Sequence, residues 1–216
     1  MTSAELEEEP GTAAGPLSLI VVSDFVCPWC SIGLMEVERL RAEYDVELRF
    51  APYLLDPSTP PEGKPRKPYT NPGDPPSPME ERAAGLGLRF ARGRTFTSNS
   101  LLAHEAAEFA AESGIDPAAF HHRMFRAYFE DLEDVGKLDV IVAAGFDAGL
   151  DGDALREALT TRRYRQEVQD GIKWAKEIGV TAVPTFVFDD KYGFAGAQDY
   201  ETFVSVAHQL GHRPRT

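Results

Sequence analysis

The sequence predicts an α/β fold: a central mixed sheet flanked by helices and interrupted by an all-helical insertion. Three observations predict it. A strand, a helix and a second strand open the ordered part of the chain; a long helical block follows; a strand–strand–helix unit closes it. The chain has two cysteines, and both stand at the first strand-to-helix turn, in Cys27-Pro28-Trp29-Cys30. These patterns divide the chain into an acidic, disordered tail (1–15), the first half of the α/β fold with a Pro-rich loop (16–78), a helical insertion (79–178) and the second half of the fold (179–212).

Each element has a local reason. Leu17 to Ser23 carries Ile20, Val21 and Val22 in a continuous apolar run, the pattern of a buried strand. Ile32, Met35, Val37 and Leu40 then recur at an approximately helical spacing, so Pro28 to Tyr44 reads as a helix. Val46 to Phe50 alternates and reads as a second strand. Ten of the 16 prolines fall in residues 52–78. Proline removes a backbone donor and fixes φ, so this stretch is expected to be an irregular loop, serving as a lid or as a tolerated insertion.

Within the insertion, Ser100 to Ala111 is expected to be helical, with Asn99 as its cap. Asp116-Pro117 starts the next helix, whose aromatics from Phe120 to Phe129 belong to the core, as does Trp174. Asp139 to Ala148, Asp153 to Thr160 and Tyr164 to Ile178 complete the block, with Gly171 marking a weak point or bend and Gly179 a stop. Thr185 to Phe188 and Tyr192 to Ala195 are strands joined by an Asp189-Asp190 turn. Tyr200 to Leu210 closes the chain as a helix with Phe203, Val204, Ala207 and Leu210 on one face.

Composition narrows the function. With 35 acidic against 22 basic side chains the net charge is −13, which argues against nucleic acid as the main partner. No apolar run is long enough for a membrane span or a secretory core, so a cytoplasmic location with no membrane association is expected. There a structural disulfide is rare, and a cysteine pair is more often catalytic or metal-binding.

The dithiol points to redox chemistry. Thiolate is the attacking form, and a sulfur at a helix N-terminus gains thiolate character from unpaired amides and the helix dipole. Cys27 is therefore the expected nucleophile and Cys30, one turn deeper, the resolving thiol. Pro28 suits the first helical turn, and Trp29 offers a flat apolar cover, so both are assigned to substrate binding. The rival is a metal half-site, but two thiols supply half of a structural zinc's ligands, and His121 and His122 diverge on their helix. No metal is expected.

Val180 to Phe186 adds a second signature, with Pro184 at a strand entrance. Here the chain resembles the thioredoxin superfamily, which implies a cis Val183–Pro184 bond facing the dithiol and a Val183 backbone offered to an extended substrate. Over residues 17–210 it resembles more narrowly the DsbA family of cytosolic, FrnE-like thiol–disulfide oxidoreductases. The likeness rests on Ser23 to Cys30, on Thr97 to Ser100 running into Ala103-His104, on Phe125 to Phe129, on Ala175 to Val180 and on Gly193 to Gln198. It implies a thioredoxin fold and exchange of disulfides, by oxidation, reduction or isomerisation, with a protein disulfide or dithiol substrate or a small thiol. It also implies no bound cofactor, recycling by a low-molecular-weight thiol or partner protein, and a monomer or homodimer. The Pro-aromatic pair resembles glutaredoxins, which implies a potential on the order of −200 mV. The chain departs from many of these relatives at Val21, where they hold a buried acid. Proton transfer at Cys30 must then use water, Asp24 or a residue of the insertion, with Asp24 and His104 as the candidate relay; their plainer roles are a turn-satisfying carboxylate and a packed, hydrogen-bonded imidazole. A second family with this architecture, the kappa-type glutathione transferases and 2-hydroxychromene-2-carboxylate isomerases, typically carries serine where Cys27 stands.

Overall fold

A computed structural model of the protein describes residues 15–215. The expected acidic tail, but for Gly15, lies outside the described residues. β1 (Leu17–Ser23), α1 (Pro28–Glu43) and β2 (Val46–Pro52) form the opening unit. After β3 (Lys64–Pro65) come α2 (Pro78–Gly85), β4 (Phe96–Thr97), α3 (Leu101–Glu112), α4 (Pro117–Phe129), α5 (Leu138–Asp147), α6 (Gly152–Thr160) and α7 (Arg165–Glu177). β5 (Thr185–Phe188), β6 (Tyr192–Ala195) and α8 (Tyr200–Gln209) complete the chain.

The main sheet has the order β2-β1-β5-β6. β1 runs parallel to β2 and antiparallel to β5, so the sheet is mixed, as expected. A parallel pair needs a crossover, and α1 supplies it. β1 lies inside the sheet and is buried along nearly all its length, which is why its sequence is a continuous apolar run rather than an alternation. The β5–β6 hairpin turns at Asp189 (φ 50°) and Asp190 (φ 53°). Two consecutive left-handed residues match the right-handed twist of the flanking strands, and aspartate tolerates that conformation. Asp189 adds an anchor by accepting from the Ser18 amide at 3.0 Å.

Helix starts follow local capping chemistry. Ser77 and Glu80 close a capping box at α2, and the Asp116 side chain accepts from the Ala118 amide at α4. The N-cap of α3 is Ser100 rather than Asn99; Asn99, one residue ahead, shapes the approach instead, its side-chain oxygen accepting from the Leu101 amide at 3.0 Å while its amide donates to the Thr59 carbonyl at 2.6 Å.

Three expectations need correction. Residues 79–178 are not helical throughout. After α2 the chain turns at Gly87 and Gly93, both at positive φ, and enters β4, which pairs antiparallel with β3. The Pro-rich loop is thus tied to the insertion by a short ladder rather than running free. Gly171 does not interrupt α7. A Cβ there would lie 2.7 Å from the Pro52 ring, so glycine lets α7 pack closely on the end of β2. Trp174 is only partly buried, whereas Phe120, Phe125, Tyr128 and Phe129 are core residues. One hydrophobic cluster runs from the sheet through α1, α3, α4 and α8, so the sheet and insertion share a core.

Candidate active site

Cys27 occupies the N-cap of α1, with φ −93° and ψ 113°, and Pro28 takes the first helical position. The turn ahead is built by Asp24. Its carbonyl accepts from the Cys27 amide at 3.0 Å, and its carboxylate accepts from the Val26 amide at 3.3 Å and the Leu55 amide at 2.6 Å. The turn-satisfying role expected for Asp24 is therefore present, and it also pins the chain just after β2 beside the dithiol.

The two sulfurs are separated electrostatically. The Cys30 thiol, hydrogen-bonded to the Cys27 sulfur, holds the Cys27 pKa below the ordinary thiol value; burial opposes this, and the Cys30 and Trp29 amides reinforce it. The helix N-terminus thus contributes, as the sequence suggests, but the partner cysteine contributes more. The Asp24 charge acts the other way on Cys27. Burial pushes the Cys30 thiol well up, helped by Cys27, with Ser23 opposing. Both cysteines are free and buried, Cys27 with 3% of its surface exposed.

The Val183–Pro184 bond is cis. The segment before β5 faces the dithiol: the Cys27 thiol donates to the Val183 carbonyl at 3.5 Å across 156 residues of sequence. Gly33 of α1 allows this approach, because a Cβ there would lie 2.8 Å from Phe186 Cζ and 3.2 Å from Pro184 Cγ. Trp29 lies at the solvent-exposed end of the site. It projects from the helix start with 39% of its surface exposed, because the α1 positions that pack inward are Cys30, Ile32, Gly33 and Leu34. It is a protruding flank of the site.

His104 comes from the insertion and meets Asp24. Its Nε2 donates to the Tyr53 carbonyl at 3.1 Å and stands 3.6 Å from Asp24 Oδ1, and its ring lies 5.0 Å from Phe25. The imidazole is packed and hydrogen-bonded, and it also touches the site. Sequence reasoning missed Ser23, Tyr53 and Leu55. Ser23 is a polar residue ending an apolar strand next to the motif, which was a readable signal; Tyr53 and Leu55 act through backbone atoms that no residue type discloses. His121 is fully buried against Phe25 and Phe50, and burial drives its pKa down to about 3. Among the described residues no three His, Cys, Asp or Glu side chains are grouped to hold a metal, and no helix is long and apolar enough to cross a membrane.

Beside the dithiol lies a cleft of about 460 Å³. Val26 and Pro28 form one wall, and residues of the Pro-rich loop and of the segment between α2 and β4 form the others.

Comparison with known proteins agrees with this geometry. A family model described as a DSBA-like thioredoxin domain matches residues 18–207. A curated relative, the uncharacterised protein YwbO of Bacillus subtilis (strain 168), is 32% identical over 198 residues, covering 86% of this chain and 94% of its own. The crystal structure of the probable DsbA oxidoreductase SCO1869 from Streptomyces coelicolor superposes with a TM-score of 0.78 at 25% identity, covering 90% of this chain and 89% of that one. A 2-hydroxychromene-2-carboxylate isomerase shares the fold, with a TM-score of 0.68 at 16% identity, covering 89% and 95% of the two chains.

Proposed function

The chain belongs to the DSBA-like thioredoxin domain family, and from that premise we propose that it exchanges thiols and disulfides through Cys27 and Cys30. The observation that carries the proposal is the pair of sulfurs itself: a buried Cys30 thiol hydrogen-bonded to the Cys27 sulfur, opposite the Val183 carbonyl. The Cys27 thiolate attacks one sulfur of a substrate disulfide; that S–S bond breaks, and a thiolate leaves and takes up a proton. Cys30 then loses its proton and attacks Cys27 in the mixed disulfide. A Cys27–Cys30 disulfide forms and the second substrate thiol departs. The substrate is reduced by two electrons and the dithiol oxidised, and the reverse sequence oxidises a substrate dithiol. No bound cofactor is required, because a low-molecular-weight thiol or a partner protein can return the pair to its starting state.

With so little of Cys27 exposed, a partner sulfur must approach where the cleft wall at Val26 and Pro28 meets the Val183 segment. In a cytoplasmic setting the thiol pool would keep the resting pair reduced. The isomerase likeness extends to the fold; a cysteine at position 27 paired with a second one favours exchange over activation of a bound thiol.

Two outcomes test the chemistry. Cys30→Ala removes the largest stabiliser of the Cys27 thiolate. The pH midpoint of Cys27 alkylation by iodoacetamide should lie below that of a free thiol, about 8.5, in the intact protein and rise in the variant. The same variant should accumulate a mixed disulfide that mass spectrometry identifies, since nothing remains to resolve it. An unshifted midpoint in the intact protein would remove the basis for Cys27 as nucleophile.

The second concerns the proton that Cys30 must lose. We assign its acceptance to Asp24, with His104 beside it leading to a second cleft of about 390 Å³ lined by His104, Glu108 and His121. Asp24→Asn should separate two effects. Loss of the negative charge lets the Cys27 pKa fall further, so alkylation at low pH speeds up, while release from the mixed disulfide slows. A mere loosening of the turn would not lower the Cys27 midpoint, so that midpoint together with single-turnover release distinguishes the roles.

A further inference from the structure

The cleft beside Cys27 carries a charge pattern that the exchange chemistry does not use. Four cations line it, Arg66, Lys67, Arg92 and Arg94, against two carboxylates, Asp56 and Glu80. Both carboxylates are already engaged: Asp56 with Lys64, and Glu80 with Arg92 at 3.0 Å as well as with Ser77 and Thr70. Among the described residues, Arg66, Lys67 and Arg94 have no ion-pair partner. In a chain of net charge −13, this concave surface carries a local excess of positive charge.

Arg94 is the most telling of the three. Only 9% of it is exposed, and its guanidinium lies over the Tyr128 ring at 3.5 Å and near the Phe129 ring at 5.1 Å. Its Nη2 donates to the Tyr128 carbonyl, while its Nη1 is buried with no acceptor. A guanidinium stays charged at any physiological pH, and a buried donor left without an acceptor is destabilising. The aromatic stack fixes the group in the cleft wall with its Nη1 unmatched, leaving a charged donor at the cleft wall for which a carboxylate oxygen is the complementary acceptor. The volume falls within the range of small-molecule sites, about 300–1,000 Å³.

We propose that this cleft binds the carboxylate of a small anionic disulfide, or of the corresponding thiol, held by Arg94 with Arg66 and Lys67 at its rim, so that the ligand's sulfur meets Cys27. The proposal rests on the exchange chemistry assigned to Cys27 and adds the substrate class. The ligand disulfide is itself the oxidant of the reduced dithiol, so the step balances as the exchange already given.

Three small disulfides of similar size test it: dithiodipropionate (anionic), hydroxyethyl disulfide (neutral) and cystamine (cationic). Each rate of oxidation of the reduced protein is divided by the rate of the same disulfide with free dithiothreitol. The intact protein should favour the anionic disulfide over the neutral one by about tenfold, with cystamine slowest. Arg94→Gln should remove that preference, so that the corrected anionic rate falls to that of the neutral disulfide in the same variant. Arg94→Lys should retain part of it. If Arg94→Gln does not fold, Arg66→Glu at the half-buried rim should reduce the preference in its place.

A second measurement needs no exchange. Adipate, a dicarboxylate without sulfur, should shift the Arg94 side-chain N–H resonance in a saturable manner. Exchange with all three disulfides at equal corrected rates and no adipate shift overturns the cleft proposal while leaving the exchange reading intact. A saturable adipate shift in a protein that exchanges with none of the disulfides keeps the anion site and overturns the exchange reading.

Discussion

Cys27→Ser should bring disulfide exchange down to the uncatalysed rate. The Cys30 thiol and the Cys30 and Trp29 amides all favour negative charge on the atom at position 27. A thiol answers that environment by ionising more readily than a free thiol; a serine hydroxyl does not ionise, and its oxygen cannot form a disulfide. Cys30 does not substitute, because burial holds its thiol well above the ordinary pKa and keeps it protonated. The check is turnover of a fluorogenic peptide disulfide alongside turnover of a 2-hydroxychromene-2-carboxylate. Lost exchange with no isomerase rate fits the proposed chemistry. A variant that retains isomerase turnover would instead place this chain with the enzymes that act through a bound thiol.

The largest stability effect is expected away from the dithiol, at Arg162. This residue sits between α6 and α7 with φ 57° and reaches α3 with a two-pronged contact: Nε lies 3.0 and 2.9 Å from the two oxygens of Glu105, and Nη2 lies 2.5 Å from the first. Glu105 is completely buried. Removing one partner of such a pair leaves a desolvated charge, so Arg162→Ala should destabilise the fold by about 3 kcal/mol or more in urea titration. Adding Glu105→Gln to that variant should recover part of the loss, because a neutral amide costs less to bury than an unpaired carboxylate. If the single variant unfolds at the same urea concentration as the parent, the pair contributes only on the surface scale of about 0–1 kcal/mol.

The two predictions probe different layers of information. The dithiol at a strand-to-helix turn was legible because its chemistry is local: a cysteine three residues from another, behind a buried strand and ahead of proline, has few other uses. The β5–β6 hairpin was equally legible, since Asp189-Asp190 between two short β-rich runs encodes its own turn. Asp116-Pro117 set the start of α4 for the same reason. Gly171 was misread because a glycine in a helix looks like a weakness until the partner that needs the space, Pro52, is known.

By itself, then, the sequence determined the four strands of the main sheet, most of the helices, the closeness of the two cysteines and the turn that carries them, because these depend on neighbours within a few residues; it did not disclose β3 and β4, whose pairing joins distant segments. Tertiary structure decided which groups surround them. The Val183 carbonyl reaches Cys27 across 156 residues, His104 meets Asp24 from a different helix, and Arg94 enters the cleft wall on a segment tied to the Pro-rich loop by β3 and β4. Such juxtapositions are fixed by how the shared core packs, and chain spacing alone carries no record of them.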